Sequence, residues 1–130
     1  MHADDDRHDR PAIEELVASV DVTAVLTAIA DAVDEAVERD IDAALAMQHV
    51  PPPFELAEMT TRLITACAVL APQVERIPHG PHRRAGEANA DAWRVLADDG
   101  PGEGPLGNWS YARQLAVTAR GMLRAVQAAR

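Results

Sequence analysis

The sequence predicts an all-α protein, and three observations carry that prediction. Apolar residues recur at helical spacing along most of the chain, and no run alternates like a strand over more than a few residues. Alanine fills much of the 48% apolar share, while aromatics make up only 3%. Alanine loses no side-chain entropy in a helix, and small faces let helices approach closely. The expected architecture is an antiparallel helical bundle of three long helices plus a short N-terminal helix, in one domain over residues 11–130. Residues 1–10 are charged with nothing to bury, and read as a disordered tail.

Pro11 suits the first turn of the short helix, whose strip is Ile13, Leu16, Val17 and Val20. A long helix follows from about Val22 to Leu45, with a stripe of Val22, Val25, Leu26, Ile29, Val33, Val37 and Ile41. The two strips are out of phase. The chain therefore breaks near Val20–Asp21, with Asp21 or Ser19 as the cap. Asp40 points into the apolar arc and marks a second weak point.

Val50-Pro-Pro-Pro53 ends this helix. The next begins near Phe54 and reaches Ile77, burying Leu56, Met59, Leu63, Cys67, Leu70, Val74 and Ile77. The stripe keeps its phase across Pro72, so a kinked but continuous helix is expected; a stop at Leu70 with a restart at Pro72 is the alternative. After a turn at Ile77–His82, a further helix spans roughly Arg83 to Ala97. Its inner face is Ala85, Ala88, Ala92 and Leu96, with Val95 and Trp93 at the flanks and Asn89 intruding. The Gly-rich stretch Asp98–Gly107 is a loop, and Asn108 or Ser110 caps the last helix, about Trp109 to Ala128. Tyr111, Leu115, Ala119, Met122, Leu123 and Val126 form its apolar face. Gly121 lies mid-helix, where it costs about 1 kcal/mol relative to Ala.

Charge is sorted along the chain. Residues 1–60 hold 15 Asp/Glu and 3 Arg, and residues 61–130 hold 6 and 9, which sums to a net charge of −9. Every Lys/Arg cation is Arg. Such sorting bears on association. Asp31, Asp34, Glu35 and Glu38 form one outward acidic face, and Arg113, Arg120 and Arg124 form an outward basic stripe. Packing the two helices side by side would select pairing, although single surface pairs contribute only about 0–1 kcal/mol.

From Pro51 onward the chain carries Pro51-Pro-Pro-Phe-Glu-Leu56, Leu70-Ala-Pro-Gln-Val-Glu75 and Arg83-Arg-Ala-Gly-Glu-Ala88. Tyr111-Ala-Arg-Gln-Leu-Ala116 and Ala119-Arg-Gly-Met-Leu123 follow a Gly-rich break. Over residues 51–126 this resembles a group of small actinobacterial helical proteins of unknown function, often labelled natural product biosynthesis proteins. The chain departs from that group in lacking an aromatic, histidine-bearing tail. The resemblance implies a cytoplasmic actinobacterial protein linked to specialised metabolism. It implies no catalytic residue.

Nothing in the sequence names a reaction. The lone Cys67 lies on an apolar stripe and excludes an internal disulfide. His79 and His82 are loop histidines, short of the three or four ligands a stable metal site needs; His2, His8 and Asp4–Asp6 are a weaker set. The dense acids of residues 31–42 lack the Glu-x-x-His of bundle di-metal sites. No nucleophile signature surrounds Ser19 or Ser110. Nucleic acid is disfavoured by the net charge, despite Arg83, Arg84 and the basic stripe. No apolar run approaches the roughly 20 residues of a membrane helix, and the polar, acidic start is unlike a secretory signal.

The expected function is a non-enzymatic interaction or regulatory protein, self-associating as a homodimer or binding a protein partner, with no cofactor, metal or catalytic residue. The alternative is a small-molecule binder or minor enzyme with a pocket near Trp93, Trp109 and Tyr111.

Overall fold

The computed structural model describes residues 21–104 and 106–130. Among them are helices α1 (Val22–Ala46), α2 (Pro53–Glu75), α3 (Pro81–Asp99) and α4 (Gly107–Ala128), and no strand. The expected tail and N-terminal helix with Ile13, Leu16, Val17 and Val20 lie outside the described residues. The chain divides between Val33 and Asp34 into two units.

Asp21 is outside the helix, and its Oδ1 accepts the backbone N–H of Ala24 at 3.2 Å. This is the N-cap geometry expected from the phase break. Pro51 and Pro52 separate α1 from α2, and Pro53 opens α2 in its first turn, where a missing N–H costs nothing. Helix α2 runs unbroken through Pro72, which is exposed. Helix α3 ends at Gly100, whose N–H bonds to the Leu96 carbonyl at 3.0 Å with φ at 66°. An L side chain is strained there, so glycine makes the stop.

In the unit from Asp34 onward, the core gathers Leu56, Leu63, Cys67, Leu70, Val74 and Ile77 with Tyr111, Leu115, Ala119, Met122 and Leu123. Ile41 and Ala44 join from the last turns of α1, and Ala90 from α3. Leu63, Cys67, Leu115 and Met122 are fully enclosed. The sequence stripes of α2 and α4 are thus the core.

Three expectations need correction. The stripe of α1 is not buried over its length: Val22, Val25, Leu26, Ile29 and Val33 are 44–64% exposed. The wheel explains this. The arc of Val22, Leu26, Ile29 and Val33 is centred roughly 60° away from the arc of Val37, Ile41 and Ala44 at 100° per residue. One helix therefore carries two apolar strips.

Helix α3 presents a different face from the expected one. Ala85, Ala88 and Ala92 are exposed; Gly86 and Ala90 are buried, with Asn89, Trp93 and Leu96 half-buried. A Cβ at Gly86 would lie 2.8 Å from Val74 Cγ1 and 3.1 Å from Ala125 Cβ. The absence of a side chain, rather than a small one, sets the closest approach. Gly121 answers Asn89 in the same way: a Cβ there would overlap the Asn89 amide. The intruding polar residue and the mid-helix glycine are one feature, and Asn89 Nδ2 donates to the Ala85 carbonyl at 3.0 Å.

Helix α4 begins at Gly107 with no side-chain cap, in place of Asn108 or Ser110. The Gly102 carbonyl occupies the space a Cβ at Gly107 would need, so the loop folds directly onto the helix start. Ser110 Oγ instead accepts from Gln114 Nε2 at 3.0 Å.

Candidate functional site

The acidic and basic residues meet, but not as two outward faces. Asp34 is turned toward α4: its side chain is 14% exposed, and Oδ2 accepts from Gln127 Nε2 at 3.3 Å and from Arg130 Nη1 at 2.5 Å. Glu38 Oε1 accepts from Gln127 at 3.2 Å. Asp31 and Glu35 are exposed. Glu38, Asp42, Arg120 and Arg124 line one shallow depression. The outward reading of Asp34 therefore fails, because the 34–46 stretch of α1 lies against α4 through that side. Asp40, the misfit on the apolar arc, pairs with Arg62 Nε at 3.1 Å.

Arg113 has a role the sequence reading missed. Its Nη1 donates to the carbonyls of Ala44 and Leu45 at 3.4 and 3.1 Å, at the C-terminal end of α1. Those carbonyls lack partners within the helix and carry the negative end of its dipole. The guanidinium also sits 5.8 Å from the Trp109 ring centroid, a cation–π distance. Spacing on α4 alone could not reveal a contact 69 residues away in sequence.

An open groove of about 750 Å³ lies between α3 and α4. Leu45, Val95, Leu96, Leu106, Val117 and Trp109 supply its apolar lining, and Ser110, Arg113, Gln114 and Thr118 its polar lining. Of the three residues expected at a pocket, Trp109 lines this groove, while Trp93 packs half-buried on the core. Tyr111 is buried and donates its hydroxyl to the Leu96 carbonyl at 3.0 Å, tying α4 to the end of α3. Val95, Leu106 and Val117 are exposed despite their size. Val95 and Val117 fall off the core stripes of their helices, which was the available signal for a second apolar surface. The Trp109 indole N–H is buried and has no partner among the described residues.

Reactive groups are muted. Burial pushes the Cys67 thiol up to about 12, and its Sγ lies 3.7 Å from the Leu115 carbonyl. A thiol so raised is not a nucleophile near neutrality. Tyr111 is also raised, first by burial and then by Cys67. His79 and His82 are exposed, and no three His, Cys, Asp or Glu side chains converge as metal ligands among the described residues. Asp4–Asp6, His2 and His8 lie outside them. No described helix is long and apolar enough to cross a membrane.

No curated protein and no solved structure matches this chain. A family model matches residues 35–130, within one residue of the boundary at which the unit carrying the core begins. The chain belongs to a family of unknown function, DUF6415.

Proposed function

We propose that this protein is a non-enzymatic helical interaction protein that self-associates through the exposed strip Val22, Leu26, Ile29 and Val33. The observation that carries the reading is this strip's exposure on a helix whose other end joins the core. Its spacing of four, three and four residues is that of a coiled-coil seam. Asp31, Asp34, Glu35 and Glu38 fall on other arcs of the wheel, so a second copy can approach without like charges meeting. Val25 widens the strip. The strip also precedes the part of the chain that matches the family, which suits an attachment rather than a component of the shared core.

The opposite sequence order of the contacts 86 with 125, 89 with 121 and 96 with 111 supports an antiparallel arrangement of α3 and α4. The resemblance over residues 51–126 supports an actinobacterial, cytoplasmic protein of specialised metabolism.

Sedimentation across a concentration series at low and high salt tests self-association. The full chain should gain mass with concentration, and the gain should survive high salt because the contact is apolar. Leu26→Asp with Ile29→Asp should remain monomeric with unchanged helicity. A strict monomer at every concentration overturns the proposal.

A further inference from the structure

We infer that the α3–α4 groove is a binding site for an elongated apolar molecule with one anionic end, a medium-chain carboxylate by chemical class. This goes beyond self-association and concerns the other unit of the chain.

The groove's volume of about 750 Å³ is within the roughly 300–1,000 Å³ of small-molecule sites. Its walls are aliphatic, and Val95, Leu106 and Val117 stand 45–58% exposed along it. An apolar chain laid there would remove three large side chains from water at once.

Charge chooses the end group. Among the described residues no acid lines the groove, and Arg113 is the one charged residue there. Arg113 is held at the site by Nη1 through the Ala44 and Leu45 carbonyls. Guanidinium has five N–H donors in a fixed fork, so Nε and Nη2 remain to meet a carboxylate, with no hydrogen-bond partner among the described residues. The guanidinium also lies over the Trp109 ring, 5.8 Å from its centroid. Ser110 and Gln114 add a neutral polar pair beside Arg113 on the same helix. A cation already oriented by two backbone carbonyls and a ring loses little freedom on binding.

Trp109 lines the groove and Trp93 does not, so Trp93→Phe leaves a single reporter at the site. The full chain with that change is titrated with decanoate and with decanol, both below their aggregation limits, by fluorescence and by calorimetry. Decanoate should bind saturably and about tenfold more tightly than decanol, the least that a charge-assisted hydrogen bond contributes. Val117→Asp, at an exposed position on α4, should weaken decanoate by tenfold or more and decanol less. Arg113→Gln should equalise the two. The inference is overturned by no saturable binding, by equal affinity for decanoate and decanol in the parent, or by indifference to Val117→Asp. It is equally overturned if Val117→Asp dissociates a dimer, because the groove then holds a second copy. Leu26→Asp with Ile29→Asp should leave decanoate binding unchanged, which separates this site from the self-association strip.

Discussion

The pairing of Asn89 with Gly121 makes a prediction whose sign depends on the background. In an ordinary helix interior, Gly→Ala stabilises by about 1 kcal/mol through backbone entropy. At Gly121 a new methyl would overlap the Asn89 amide, and overpacking of this kind costs about 1–3 kcal/mol. Gly121→Ala should therefore destabilise the protein by about 1 kcal/mol net. Asn89→Ala removes the amide and its 3.0 Å bond to the Ala85 carbonyl, a part-exposed contact contributing about 0.5–1 kcal/mol. With the amide gone, the methyl has room, so Gly121→Ala in the Asn89→Ala background should stabilise by about 1 kcal/mol. The coupling across the double-mutant cycle is then about 2 kcal/mol, well above what independent sites show. Urea denaturation of the four proteins, with m-values compared to confirm a common unfolding transition, measures it. Additive effects, or a Gly121→Ala that stabilises in both backgrounds, would refute the reasoning that the glycine exists to receive Asn89.

Two further outcomes follow from the same structure. Cys67 binds its proton more tightly folded than unfolded, so no stability is lost below about pH 9, while between pH 9 and 12 the unfolded state ionises alone. Stability should fall there by about 1.4 kcal/mol per pH unit from this group; Cys67→Ala should flatten the urea midpoint across pH 8–10.5, and an unchanged slope would contradict the assignment. Arg113→Met keeps the stem but leaves the Ala44 and Leu45 carbonyls unpaired, and should cost about 1–2 kcal/mol in thermal or urea unfolding. A neutral effect would show that Arg113 does not hold the end of α1.

Periodicity alone determined much of this molecule. The stripes of Leu56 to Ile77 and of Tyr111 to Val126 are the core, because each repeats at helical spacing over four turns or more and tolerates no other face. Asp21 as a cap, the proline break and the glycine stop were also legible, since each acts within a few residues of itself. Tertiary structure decided what depends on partners. The inner face of α3 turns on Gly86, and periodicity cannot score an absent side chain. The strip of Val22 to Val33 has the pattern of a core face and the exposure of a surface, because pattern states what a helix could bury and not whether anything covers it. The groove is assembled from α3 and α4 with Leu45 from α1, and Arg113 and Asp34 find partners 68 to 96 residues away. Local sequence sets which surfaces each helix offers; only the packed arrangement sets which of them meet, since those contacts join residues that the chain itself holds far apart.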